Sequence, residues 1–405
     1  MSHRKWLVLG FAFLATVINY LDRQTLSVMA PVLLEKFRIS PQSYSQIIFA
    51  FMLAYTIMNG VSGRVIDYLG TKVGYALSIA WWSAAEMLHA FTSGALSLGV
   101  FRFLLGAGEA GNYPAGVRLI SEWFPVEQRS LASGIFNSGA SIGAIIAPPL
   151  LALILLSFGW QTAFLAVGLA GFVWLAAWLL VYREPRATAE RVLAPKIPLR
   201  LLLRSRFLWM FTLSKCFSDP VWYFYTFWFP QYLKVAHGFS IAQIGAFAWI
   251  PFFTAALGNL AGGAVFSAVL RLGVAPAIAR RLAVWIFASL MVSAVFVGAA
   301  GSAGQSIALI SLATFGYSGS LANLLAVPGD VFPKNLQASI WGIASMGSGF
   351  GGMVFSLVTG WLIEQYSYRP VFVLFGLLPL LAAWIVWRLP RTEDPAHLIR
   401  AGQSV

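Results

Sequence analysis

The stretch WLVLGFAFLATVINYLDRQTLSVMA, Trp6 to Ala30, decides the class of the fold. It is apolar over a length that can cross a hydrocarbon core of roughly 30 Å, yet it carries Asp22 beside Arg23 about two-thirds of the way along. A charge near the bilayer centre costs roughly 2.5–3.5 kcal/mol on insertion scales, so adjacent charges persist there only when they pair, face a watery cavity or do chemistry. A second set, Arg102 and Glu109, sits in the apolar run from Ala95 to Leu119. Acid and base placed together in two membrane helices point to a protein that moves charge and an ionic solute across a bilayer.

The rest of the chain has the same character. Its 405 residues are 59% hydrophobic and only 10% charged, with a mean hydropathy of +0.77. Twelve windows of about 20 apolar residues can be laid along it, among them 6–30, 44–66, 74–93, 95–119, 207–233 and 303–327, the last at 368–389. Lipid leaves helices as the spanning element, because each backbone polar group must be satisfied within its own segment. No β-barrel alternation is visible. The predicted fold class is an all-α membrane protein with twelve transmembrane helices in two six-helix bundles.

The first apolar segment begins after five residues, contains Asn19, Tyr20, Asp22 and Arg23, and is followed by no small-residue cleavage site. It is therefore read as a retained helix and not a signal peptide. Placing the N-terminus in the cytoplasm puts twenty Lys and Arg on that side, seven of them between Arg183 and Arg206. Only Lys36, Arg38, Lys234 and Arg369 fall opposite. By the positive-inside rule both termini are expected in the cytoplasm, in a bacterial inner membrane. The same asymmetry accounts for the net charge of +13 as topological anchoring, so no nucleic-acid partner is inferred. The single cysteine, Cys216, excludes an internal disulfide, and four scattered His give no metal-ligand spacing. No metal and no cofactor are expected.

The polar stretch Tyr182–Arg206, with three prolines and mixed charge, divides the chain into an N-terminal six-helix bundle (1–182), a cytoplasmic linker (183–206) and a C-terminal six-helix bundle (207–405). The halves echo one another weakly: Gly63-Arg64-Val65-Ile66-Asp67-Tyr68-Leu69-Gly70-Thr71-Lys72 follows the second window, and Gly263-Ala264-Val265-Phe266-Ser267 leads to Arg271 after the eighth. Duplicated halves of this kind bind substrate near the midplane between repeats.

The Gly63–Lys72 segment resembles the loop signature of the major facilitator superfamily, with Gly63, Asp67, Gly70 and Lys72 matching and Tyr68 and Thr71 standing where basic residues are usual. The fifth window, with Gly134, Gly139, Gly143 and Pro148-Pro149, resembles that superfamily's glycine-spaced helix. Five further segments resemble the anion:cation symporter family, and within it the bacterial hexuronate transporters. They are Ile18-Asn19-Tyr20-Leu21-Asp22-Arg23, Arg102-Phe103-Leu104-Leu105-Gly106-Ala107-Gly108-Glu109, Phe136-Asn137-Ser138-Gly139, the seventh-helix run Lys215 to Tyr225, and Asp330-Val331-Phe332-Pro333-Lys334. The resemblance implies proton-coupled uptake of an organic anion. It implies that Asp22 and Glu109 are the proton-coupling groups and that Arg23 and Tyr55 bind substrate.

A hexuronate is an anion that carries hydroxyls, so its site needs a cation for the carboxylate, amides or hydroxyls for the ring, and aromatic faces for the C–H side. Arginine suits the first task because its planar guanidinium holds a carboxylate through two parallel hydrogen bonds. Arg102 and Glu109, seven residues apart, share a helix face about 10 Å apart along the axis. Each therefore requires a partner on another helix, and Asp22 and Arg23 are the candidates. Arg102, Lys215, Trp222 and Asn323 complete the substrate-binding set. Structural readings stand beside these. Intramembrane ion pairs can be locks, and Lys215 with Asp219 at i, i+4 can neutralise one another. Trp222, Tyr223, Tyr225 and Trp228 can form an interfacial aromatic belt, and Asn323 and Asn137 can be interhelical glue. Glu86 and His89, at i and i+3, read as glue or as a proton relay and are left out of the site.

The function expected is import of a sugar acid, glucuronate or galacturonate, with protons, by a monomer in contact with membrane lipid. A uniporter or exchanger of another organic anion, such as an aldonate, is the alternative. A membrane enzyme or sensor is remote, since no catalytic constellation and no loop long enough to fold alone are present.

Overall fold

The structure, a computed structural model, describes residues 2–184, 203–332 and 334–390. Most of the expected linker, Pro333 of the last family segment, and the expected cytoplasmic anchors Arg391 and Arg400 lie outside the described residues. Every regular element among them is helical.

Helix α1 runs unbroken from Ser2 to Lys36. Helix α2, Pro41–Leu88, opens on a Ser40 cap that accepts from the Ser43 N–H and on Pro41 at its first position. It is two passes in one element, because Gly70 adopts φ 82°, ψ 163° and reverses the chain where a side chain would be strained. A 3-10 turn, His89–Phe91, extends it. The window 95–119 is not one helix: α3 ends at Glu109 and α4 runs Asn112–Trp123. The run Gly106-Ala107-Gly108-Glu109-Ala110-Gly111 supplies the weak helix propensity that permits the break. Then follow α5 (Val126–Phe158), α6 (Trp160–Val181), α7 (Arg206–His237), α8 (Ile241–Phe247), α9 (Ile250–Arg271) and α10 (Pro276–Leu290), which continues as a 3-10 stretch over Met291–Ala299. The chain closes with α11 (Ala303–Leu324), α12 (Val327–Val331), α13 (Lys334–Gln365) and α14 (Tyr368–Trp387). Among the described residues nine spans are both long and apolar enough to cross a bilayer. The second pass of α2, the broken α3/α4 and the charge-bearing α7 bring the passes to twelve.

The chain gathers into two compact units, Met1–Thr188 with Phe224–Phe252 and Ser356–Gln365, and Ala189–Tyr223 with Phe253–Phe355 and Tyr366–Val405. In the first, α5 lies directly on α1. A Cβ on Gly139 would stand 2.6 Å from the Phe13 carbonyl, and one on Gly143 2.7 Å from that of Val17 and 2.8 Å from Tyr20 Cβ. Gly134 faces open space. The indoles of Trp174 and Trp178 donate to the carbonyls of Phe11 and Lys72 at 2.9 and 3.1 Å, tying α6 to α1 and α2. At the end bearing few basic residues, the Tyr44 hydroxyl donates to the Phe227 carbonyl at 2.8 Å, its ring meets Trp228 edge-on at 4.9 Å, and Ser356 Oγ donates to the Ser45 carbonyl at 3.3 Å. Tyr225 and Trp228 are buried. They pack in protein instead of forming the interfacial belt that their position in α7 suggests.

The second unit has its own core, built on Phe207, Phe211, Val284, Phe332, Ile340 and Val386. Arg281 closes one end of it by donating to the carbonyls of Trp387 and Leu389 at 3.0 and 2.9 Å, which satisfies acceptors that the end of α14 leaves over.

Candidate functional site

Asp22 and Arg23 are successive residues of α1, so their side chains leave the helix about 100° apart and meet different neighbours. Arg23 Nε donates to Glu109 Oε2 at 2.6 Å, with the two side chains 10% and 0% exposed. Glu109 can reach it because it is the last residue of α3, at the break. The Arg23 guanidinium lies 4.6 Å from the ring centre of Tyr55, 5.2 Å from Tyr20 and 5.7 Å from Phe51. Phe51 and Tyr55 stack on one another at 5.8 Å. The cation is thus wrapped by π faces, which attract it without neutralising it.

Arg102 turns the other way. Its Nη1 donates to the backbone carbonyl of Asp22 at 3.5 Å, while its Nε and Nη2 have no hydrogen-bond partner among the described residues. Neither Asp22 carboxylate oxygen has a partner there either, although the residue is fully buried. The expected cross-pairing of the quartet is therefore half realised. Arg23 and Glu109 pair directly, and Arg102 meets Asp22 through its backbone.

Glu86 and His89 belong to the same neighbourhood. Both are fully buried, and the charges of Glu86, Glu109, Arg102 and Arg23 all act on Asp22. His89 donates from Nδ1 to the Ala85 carbonyl at 2.8 Å, lies 3.8 Å from Glu86 Oε2, and stacks on Phe164 at 5.1 Å. In the sequence Glu86 shows only as a further acid deep in the first half, three residues before His89.

In the second unit Lys215 Nζ pairs with Asp219 Oδ2 at 2.6 Å and lies 5.6 Å from the Trp341 ring centre. The Tyr317 hydroxyl donates to Asp219 Oδ1 at 3.3 Å, and Trp222 stacks on Tyr317 at 5.4 Å and 14°. Lys215, Asp219, Trp222 and Tyr317 form one connected set. Of the two readings of Asn323, the geometry shows the interhelical bond. Its Nδ2 donates to the carbonyls of Gly262 and Gly319 at 3.0 Å each, so the amide donors expected to meet a sugar instead join α11 to α9. Asn137 is exposed.

Beyond the buried cluster, the Gly63–Lys72 segment is anchored through Arg118 of α4, which donates to Asp67 Oδ1 at 3.2 Å, to the Ile66 carbonyl at 2.6 Å and to Glu122 at 2.7 Å. Thr71 donates its hydroxyl to Glu122 at 2.7 Å. Thr71 thus joins Arg118 as a donor to Glu122.

The sequence matches the Major Facilitator Superfamily model over residues 12–279 and again over 264–404. The chain belongs to the major facilitator superfamily. The hexuronate transporter of Escherichia coli (strain K12) is 34% identical over 402 residues, covering 95% of this chain and 93% of that one. The galacturonate transporter of Dickeya chrysanthemi is 37% identical over 277 residues, covering 64% of this chain and 80% of that one. Among solved structures, an inward-facing, unoccupied bacterial homologue of the human lysosomal transporter Spinster superposes with a TM-score of 0.76 at 18% identity, over 95% of this chain and 96% of that one, a likeness of fold alone. The chain is an all-helical major facilitator, a multi-pass membrane transporter and not an enzyme.

Proposed function

We propose that this transporter imports a sugar-acid anion of the hexuronate class together with a proton, by alternating access. The observation that carries the reading is the buried Arg23–Glu109 pair under Tyr20, Phe51 and Tyr55. A guanidinium held by a single carboxylate is a site that a second carboxylate can compete for, and the surrounding rings offer faces to the C–H side of a sugar. The names of the relatives, hexuronate and galacturonate transporters, agree with that chemistry.

The coupling follows from balance of charge. When the solute's carboxylate takes Arg23, Glu109 is left ionised and buried without a partner, a state far costlier than its protonated form. Glu109 therefore accepts a proton from the side on which the anion entered. When the anion leaves, Arg23 recaptures Glu109 and the proton departs on the side where the anion did. Asp22, next to Arg23, is assigned a proton-coupling role within the same one-proton cycle, and Arg102, Lys215 and Trp222 further contacts to the solute. In this reading 1–182 and 207–405 are the two moving halves joined by 183–206, the protein acts as a monomer, and both termini face the cytoplasm across the inner membrane. Counterflow of labelled glucuronate and galacturonate in proteoliposomes, compared with accumulation driven by an inward proton gradient, tests it. Uptake that an uncoupler abolishes while counterflow survives is expected; accumulation indifferent to the uncoupler would contradict symport.

A further inference from the structure

Interhelical glue must make a bond, and the one hydroxyl beside Glu86, that of Thr25 on α1, spends its proton on the Leu21 carbonyl at 2.8 Å; both Glu86 carboxyl oxygens are buried without a hydrogen-bond partner among the described residues. The groups facing it can be taken helix by helix. Helix α1 presents Asp22, which acts on Glu86 as a like charge, and Thr25. Helix α3 presents Arg102 and Glu109. Its own helix adds His89, whose Nδ1 is committed to the Ala85 carbonyl and lies beyond hydrogen-bond reach of Glu86. Helix α6 carries no ionisable side chain anywhere between Trp160 and Val181. Three carboxyls thus share one buried neighbourhood with two guanidiniums, and Glu109 is already engaged by Arg23. Asp22 and Glu86 are left with Arg102, whose buried Nε and Nη2 are uncommitted among the described residues.

Two carboxylates that share one cation in a low-dielectric site cannot both stay ionised, and the pair retains one proton between them. We propose that Glu86 is a third proton-binding carboxyl of this transporter, exchanging a single proton with Asp22 around Arg102. When Arg102 bonds the Asp22 carboxylate, the proton rests on Glu86. When Arg102 bonds Glu86, the O–H bond at Glu86 breaks and one forms at Asp22, with no change in total charge. Arg102 has the means, since its Nε and Nη2 have no partner while Nη1 already touches the Asp22 backbone. The part this exchange plays in transport rests on the proton-coupled reading above, whereas the shared proton does not.

Infrared spectroscopy of the purified full-length protein at neutral pH decides the matter, because a protonated carboxyl absorbs apart from a carboxylate. The unmodified protein is expected to show a buried carboxylic-acid band. Glu86→Gln should lose it, since the remaining two carboxyls then match two guanidiniums, and Asp22→Asn should lose it for the same reason. A band missing from the unmodified protein, or unchanged in Glu86→Gln, would overturn the proposal. In proteoliposomes, Glu86→Gln should lower proton-driven accumulation by about tenfold, the scale of one pKa unit, with counterflow retained and Glu86→Asp restoring accumulation. If the unmodified protein shows no proton-driven accumulation, the symport reading fails while the band still tests the shared proton. If it accumulates and Glu86→Gln accumulates equally, the transport role of Glu86 fails and symport stands.

Discussion

In the proposed scheme the anion site turns on Arg23, whose charge and shape separate by substitution. Arg23→Ala leaves Glu109 as an uncompensated buried acid, a loss of about 3–5 kcal/mol, so hexuronate binding should fall beyond detection. Arg23→Lys keeps the charge but not the planar fork, so calorimetry should record weakened binding without its abolition. Lys215→Ala should change the ranking of anions more than the affinity for any one, because Lys215 already spends its charge on Asp219 at 2.6 Å; a counterflow panel of glucuronate, galacturonate and galactonate reads this out. Asn323→Ala is the contrasting case. With both donors spent on Gly262 and Gly319, it should cost about 1 kcal/mol of stability in a thermal melt and leave the anion ranking unchanged. Asp22, Arg23, Arg102 and Glu109 were legible in the sequence because ionised groups stand out against apolar helices. Glu86 was harder to assign because a lone acid among tryptophans and alanines has no spacing that tells a bonded side chain from an unbonded one. Asn323 stayed between two readings for a related reason: a buried amide looks the same in sequence whether its donors meet a ligand or a carbonyl.

Among the elements, the contact of α5 on α1 positions the site. Gly143 lies 2.8 Å, measured from a built Cβ, from Tyr20, whose ring borders Arg23 at 5.2 Å. Gly143→Val must push α1 away, at about 1–3 kcal/mol of overpacking, and should reduce transport with a lowered melting temperature. Gly134→Val, at a position facing open space, should do neither. The twelve passes were visible as apolar windows because lipid demands length and hydrophobicity together. The break after Glu109 was not, since hydropathy reports composition and is blind to φ and ψ. The signal that could have found it is the run from Gly106 to Gly111. Likewise Tyr225 and Trp228 suggested a belt because an aromatic near a helix end fits either a lipid interface or a protein core; only the hydrogen bond of Tyr44 to Phe227 and the ring contact with Trp228 reveal which.

For the whole molecule, the account predicts transport without net charge: one monovalent anion entering with one proton. An imposed pH gradient should drive accumulation, whereas a potassium–valinomycin potential alone should drive little; a strong response to potential would mean more than one proton per anion. The central claim, that Glu109 hands Arg23 to the solute and takes a proton in exchange, is tested most directly by Glu109→Gln in proteoliposomes, measured both as uptake driven by an imposed pH gradient and as counterflow without one. The glutamine keeps the size of the side chain and imitates the protonated state, so counterflow should survive while accumulation is lost. Accumulation against a gradient equal to that of the unmodified protein would make Glu109 a structural partner of Arg23 and contradict the coupling scheme.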